Sequence, residues 1–343
     1  MAGKKVDRSA YKKLRQDLKS GQIGQMYVFH GEEKYLMEQC ATQIRRKLIP
    51  DGMEEFNLHT FQGKDIDVGE LTATMDNFPM MSERTLILVT DFDLFGCSEK
   101  KKEILTQAIS DLPEYLCLVF IYDLLEYKIG NGKFQNLVKK NAEIIDFAPL
   151  DQGDLVDWIR RRFKELGKTI DDADCEYLLF LCGGLMTGLQ GEILKIASYA
   201  DETKIMRRDI DAVAEPVLEA QVFDITNAIG SRNFAKALAV LADLYAMKVK
   251  PQQIMGFLCK HLRQMYSARL VLEARKGTPR LMELWNMRTN WQADKLMNCA
   301  RSCSLIWCRK AVQMAAETDL AMKSSGRDAE ELLTELLLQL ANL

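Results

Sequence analysis

The segment Phe29-His30-Gly31-Glu32-Glu33-Lys34-Tyr35-Leu36-Met37 is the first place where residue types and spacing could do chemistry. It follows a short apolar run. A strand that ends in glycine before a helix is where backbone N–H groups cradle a nucleotide phosphate. That chemistry needs GxxxxGK[ST]: a second glycine, a lysine for the outer phosphates and a hydroxyl for Mg²⁺. Only Gly31 is in place, and Leu36, Met37 and Glu38 occupy the other three positions. Glu32 and Glu33 stand where a triphosphate would lie, and like-charge repulsion opposes an anion there. Gly31, Glu32, Glu33 and Lys34 therefore read as a degenerate phosphate loop that binds no nucleotide, its carboxylates favouring a helix N-terminus instead.

No other grouping promises catalysis. Gly183-Gly184-Leu185-Met186-Thr187-Gly188 is glycine-rich, but it follows a helical pattern and contains no lysine, so a turn between helices accounts for it. Cys299, Cys303 and Cys308 are the nearest approach to a metal cluster. Zinc needs four ligands at tighter spacing, and no histidine is nearer than His261, so these read as core or half-exposed thiols. Three histidines give little scope for a nucleophile-histidine pair. His261 falls on an apolar helical stripe and reads as a core histidine, while His30 ends a strand without an identifiable partner. The basic clusters Lys100 to Lys102, Lys139-Lys140, Arg160 to Arg162 and Arg207-Arg208 lack interleaved aromatics and read as solvated helix faces, still able to meet phosphates within an assembly. No metal, no cofactor and no catalytic residue is expected.

Asn77-Phe78-Pro79-Met80-Met81-Ser82-Glu83-Arg84 points to binding rather than reaction. It joins a helical stretch to a strand and sets three large apolar side chains around a proline, whereas such connections are normally polar. Either Phe78, Met80 and Met81 fold back onto the sheet, which spacing alone favours, or they form an exposed apolar tip for a partner.

The elements that must position these residues change character along the chain. Up to about residue 147, short apolar runs alternate with amphipathic stretches, the signature of a sheet with helices on its faces. Strands are expected at Met26 to His30, Asn57 to Phe61, Thr85 to Val89, Leu116 to Tyr122 and Ile144 to Phe147. Most are almost continuously apolar, which predicts a parallel sheet buried on both faces. After Pro149 only helices are expected. Asp151 can cap one with Leu155, Trp158, Ile159, Phe163 and Leu166 on its apolar face and Gly167 as its stop. A second runs from Asp171 or Asp172 to Cys182 and a third from Gly188 to Tyr199. This small helical domain ends near Glu215-Pro216. From Val217 on, stripes such as Ile254, Phe257, Leu258, His261, Leu262 and Met265, and Leu332, Leu333, Leu336, Leu337 and Leu340, predict a bundle that could also meet neighbouring subunits. The expected domains are 1–148, 149–215 and 216–343.

The 343 residues, 48% hydrophobic and 28% charged, suit two or three globular domains. A net charge of -3 supplies no global basic field, which argues against a stand-alone DNA binder. Nine cysteines, an odd number scattered through apolar segments, read as thiols in a reducing compartment. The opening Met1-Ala-Gly-Lys-Lys-Val-Asp-Arg passes straight into a charged helical pattern, and no run approaches the ~18 apolar residues of a membrane span. The expectation is a soluble cytoplasmic protein that meets no membrane and acts by docking onto others.

Taken in order, Tyr27-Val28-Phe29-His30-Gly31-Glu32-Glu33-Lys34-Tyr35-Leu36 and Phe78-Pro79-Met80-Met81-Ser82-Glu83-Arg84 resemble the delta subunit family of the bacterial DNA polymerase III clamp loader. Val222-Phe223-Asp224-Ile225-Thr226-Asn227-Ala228-Ile229, His261-Leu262-Arg263-Gln264 and Asp319-Leu320-Ala321-Met322-Lys323-Ser324-Ser325-Gly326 are similar to its last domain. The resemblance covers nearly the whole chain and rests on order, spacing and length together. It implies an AAA+-like α/β domain, a small three-helix lid and a helical collar that joins a circular pentamer with the loader's ATPase subunits and delta-prime. ATP-using relatives open the last lid helix with an arginine that senses the γ-phosphate, and here Thr187 takes that place. The resemblance further implies a non-catalytic part of the polymerase holoenzyme that binds the sliding clamp through an apolar tip, holds the ring open and meets primed DNA through the assembly. By position the tip is Pro79 and Met80, flanked by Phe78 and Met81, and this turns the reading of that segment toward exposure. The commoner tip carries aromatic or leucine side chains; methionine can also fill an apolar pocket, with more side-chain entropy to lose. The alternatives are another degenerate AAA+-like replication factor, such as a helicase loader, which a clamp pull-down would separate, and an enzyme of unknown chemistry with a pocket in the first domain.

Overall fold

The computed structural model describes residues 8–287 and 290–343. The opening residues 1–7, read above for an apolar leader, lie outside the described residues. The chain divides into two compact units: one runs to Pro149 and takes in Leu185–Thr187, and the other comprises Leu150–Gly184 and Gly188–Leu343.

In the first unit five strands, β1 (Met26–His30), β2 (Leu58–Gln62), β3 (Thr85–Thr90), β4 (Leu116–Ile121) and β5 (Glu143–Asp146), form a parallel sheet in the order β2-β3-β4-β1-β5. The helices α1 (Ser9–Ser20), α2 (Lys34–Leu48), α3 (Glu54–Asn57), α4 (Val68–Met75), α5 (Glu99–Ser110) and α6 (Lys133–Asn141) alternate with them. This is the α/β layer expected from the apolar runs. β1 and β4 are buried along nearly their whole length because each has a neighbour on both sides and cover on both faces, whereas β2 lies at an edge and is half-exposed. Val28, Ile87, Leu118 and Phe120 meet Leu71, Leu105 and Val138 in the core. The strand order places the loops after β1 and β4 side by side at the carboxyl ends of the sheet, where α/β proteins usually take ligands.

The second unit is helical: α7 (Gln152–Glu165), α8 (Asp172–Cys182), most of α9 (Met186–Tyr199), α10 (Arg207–Val213), α11 (Leu218–Gly230), α12 (Phe234–Ala246), α13 (Pro251–Glu273), α14 (Thr278–Trp285), α15 (Asn290–Arg301), α16 (Leu305–Ser324) and α17 (Ala329–Ala341). Asp151 holds the N-cap position of α7, but its side chain makes no capping hydrogen bond to that helix, and Gly183 follows α8 with φ 82, as the turn reading requires. The short helix α10 extends the expected three. The predicted break near Pro216 is bridged: Val217 N–H donates to Leu181 O, and Phe180 packs on Phe223 and Trp291. α13 is the axis of the last region, its buried Ile254, Leu258, Leu262 and Met265 packing with α11, α15 and α16. His261 is fully buried there, edge-on to Phe223. Cys303 and Cys308 are buried, and Cys299 is half-buried. Among the described residues no single helix is long and apolar enough to cross a membrane.

Candidate functional site

At the carboxyl ends of β1, β3 and β4 the polar groups of the loops are bonded to one another. Gly31 has φ 127, and a Cβ there would lie 2.6 Å from the Phe147 carbonyl carbon and oxygen. Its freedom serves the packing of the loop on Phe147, whose N–H donates to His30 O (2.7 Å) and whose carbonyl accepts from Glu33 N–H (2.9 Å). That amide, one a phosphate would need, is thus already used. Glu32 is exposed, but Glu33 is fully buried. Glu33 sits at the N-cap position of α2 without capping that helix; its carboxylate accepts instead from the N–H of Met186, first residue of α9, at 3.2 Å. Glu33 thus serves the N-terminus of α9 and not that of the helix that follows it, because an enclosed carboxyl group needs a donor and the Met186 amide supplies one.

The neighbouring groups are also engaged. Lys34 Nζ donates to Tyr122 O at 2.9 Å and stands 3.8 Å from an Asp123 carboxylate oxygen. Asp91, nearly buried after β3 with φ 57, accepts from the N–H groups of Asp123 (3.0 Å), Leu124 (2.7 Å) and Leu125 (3.1 Å). Thr187 is exposed and brings no cation. His30, for which the sequence offered no partner, stacks on Tyr127 (centroids 3.8 Å apart) with Nδ1 3.8 Å from Asp146, and burial lowers its pKa against the pull of that carboxylate.

The connection between α4 and β3 is the other candidate, and the structure exposes it. Phe78 is 79% exposed, Met80 55% and Met81 84%, with Pro79 half-buried. The reading that folds them back onto the sheet does not hold. Their backbone is nonetheless fixed from several sides. Asn57, fully buried at the end of α3, donates from Nδ2 to Met80 O (2.8 Å) and accepts at Oδ1 from Met80 N–H (2.8 Å). Ser82 Oγ donates to Leu48 O (3.2 Å) at the end of α2. Arg84 donates through its guanidinium to Gly24 O (2.8 Å), Leu116 O (2.7 Å) and Ile23 O (2.5 Å), pinning the start of β3 to its neighbours. Tyr115 lies beneath Phe78 at 5.1 Å and donates to Asp76 O at 3.0 Å. The supporting roles of Asn57, Tyr115 and Arg84 escaped the sequence reading, because their partners lie too far along the chain for spacing to reveal.

Parts of three of the basic clusters are ion-paired in place, Arg160 with Asp157 and Asp172, Arg162 with Glu165, Arg207 with Asp174, Arg208 with Glu202 and Lys102 with Glu99. Among the described residues no group of three or more His, Cys, Asp or Glu could hold a metal ion.

Residues 27–148 match the family described as DNA polymerase III, delta subunit, and residues 219–340 match the DNA polymerase III delta subunit, C-terminal domain. The chain belongs to the DNA polymerase III delta subunit family. Within this family it is 27% identical over 334 residues to DNA polymerase III subunit delta of Bacillus subtilis, covering 94% of each chain. With the Escherichia coli subunit delta it shares 21% identity over 315 residues, 90% of this chain and 89% of that one. The solved Bacillus subtilis DNA clamp loader delta protein has a similar fold, with a TM-score of 0.50 and 24% identity over 97% of this chain and 99% of that one. The delta match from 27 to 148 spans β1 to β5 and includes both the loop after β1 and the exposed connection, while the second match spans most of α11 to α17.

Proposed function

We propose that this chain is the non-catalytic subunit of the DNA polymerase III clamp loader that binds the sliding clamp with Phe78, Pro79, Met80 and Met81 and holds the ring open for loading onto primed DNA. The observation that carries the reading is the pairing of exposed apolar side chains with a fixed backbone at Met80. Exposed apolar clusters mark partner sites, and a few central apolar anchors usually dominate an interface. A preset backbone lowers the ordering cost of docking and lets the tip press on a partner without yielding.

The hydrogen bonding of the loops at the carboxyl ends of the sheet supports the non-catalytic part. The side chains of Glu33, Lys34 and Asp91 are bonded to the Met186 amide, Tyr122 O and the 123–125 amides, so in this reading ATP acts through partner subunits and no cofactor belongs to this chain. The region from 216 to 343 is the collar that joins the ATPase subunits and delta-prime in a circular pentamer, 149–215 is the lid and 1–148 the clamp-binding domain. The assembly works in the cytoplasm, and DNA is met through it. Pull-down of the full chain on immobilised sliding clamp and on immobilised replicative helicase tests the reading. Retention by the clamp is expected; retention by the helicase alone would favour the helicase-loader alternative.

A further inference from the structure

We propose that Asn57 is a positioning residue for the tip: its amide sets the Met80 peptide in the conformation that presents Met80 and Met81, so the tip meets the clamp already shaped. The inference rests on the reading of this tip as the clamp contact.

Both backbone polar groups of Met80 bind one buried side chain, N–H to Oδ1 and C=O to Nδ2, each at 2.8 Å. Nδ2 also donates to Met53 O at 3.1 Å, which fixes the amide's own orientation. The pattern is a ladder rung built by a side chain, and a primary amide carries the required donor and acceptor together. Aspartate has the same shape but would lose the donor and set a carboxylate oxygen against the Met80 carbonyl. The next residue explains why a hold is needed here. Met81 has φ 51, a left-handed conformation that a bulky side chain rarely adopts. Asn57 grips the residue before this strained one, and Ser82 ties the residue after it to Leu48 O.

Released from Asn57, the Met80 peptide can turn to water and the loop can leave the presented shape. Binding then depends on the fraction of molecules that still hold that shape, which lowers the apparent association rate. Dissociation is unaffected, because the seated methionines make the same contacts. Truncating Met80 has the opposite signature, since it removes contacts and speeds dissociation.

The test uses the full chain with Asn57→Ala, Asn57→Asp and, for comparison, Met80→Ala, measuring association and dissociation on immobilised sliding clamp and amide hydrogen exchange across 78–84 in the free protein. Expected are faster exchange at the Met80 amide in Asn57→Ala, which loses the acceptor, and in both variants an association rate about tenfold lower, with dissociation within about twofold of the parent. Should Asn57→Ala fail to fold, Asn57→Ser carries the same comparison. Unchanged exchange at Met80, or an unchanged association rate while Met80→Ala does weaken binding, would overturn the positioning role. If exchange at Met80 rises while Met80→Ala binds clamp as the parent does, the clamp-contact reading fails instead, and the hold of Asn57 on the loop stands.

Discussion

Replacing Met80 and Met81 together with alanine separates a docking tip from a packed core. Fully burying a methionine side chain is worth ~1.5 to 3 kcal/mol. Met80 is 55% exposed and Met81 84%, so most of that burial is still to be made with a partner. Taking ~2 kcal/mol for each complete burial, a clamp pocket would supply ~3 kcal/mol across the pair, or ~100-fold in affinity. The parts already buried amount to ~1 kcal/mol of fold stability. Isothermal titration of clamp with the double variant should therefore show a loss of about two orders of magnitude, while the thermal midpoint moves only slightly. Core side chains would instead cost ~2 to 5 kcal/mol each on truncation. Clamp affinity within about threefold of the parent, together with a large fall in the midpoint, would refute the reasoning.

Gly31→Ala should destabilise the first unit by at least ~3 kcal/mol, read from its denaturant midpoint, since φ 127 and the 2.6 Å approach to Phe147 both exclude a Cβ; a stable variant would show that the loop can move. The last helical region should lose stability in acid. Burial lowers the pKa of His261, so its neutral form contributes stability that is lost as pH falls through its unfolded value of ~6.5. The adjoining His261 holds the Glu219 carboxyl down to about 2 against burial, aided by Lys260 Nζ at 2.6 Å, and that contribution is lost as pH falls below ~4.5 toward 2. At 3.8 Å the imidazole is beyond hydrogen-bond reach, which makes the lysine contact the firmer of the two. Thermal midpoints at pH 7.5, 5.5 and 4 should fall in that order, and His261→Gln should flatten the first step; a midpoint that rises on acidification would contradict the assignment.

What could be read from the sequence follows from the range of the forces involved. β1 was legible to the residue because a run buried on both faces is marked by its own side chains, and β3 and β4 differ from expectation by one residue at one end. β5 is shifted by one residue: Phe147, apolar enough to join the run, still donates its N–H to His30 at the end of β1, but its carbonyl turns to Glu33 N–H in the loop after Gly31. Asn57 was read as a strand residue; it ends α3 because its amide is committed to Met80, 23 positions away. The broken phosphate loop was legible from residue types, but the route by which Glu33 is satisfied spans 153 positions. α10 is seven residues long, too short for a periodic stripe, and Pro216 lies in a short connection whose next residue, Val217, is bonded back to Leu181. The tip was half-legible: its composition was visible, while its exposure depends on how the chain turns at Met81.

Equilibrium titration of the purified full chain against its sliding clamp, with and without ATP, tests the central claim most directly. The account predicts saturable binding with the same dissociation constant in both conditions. No saturable binding, or binding that appears only when ATP is present, would contradict it.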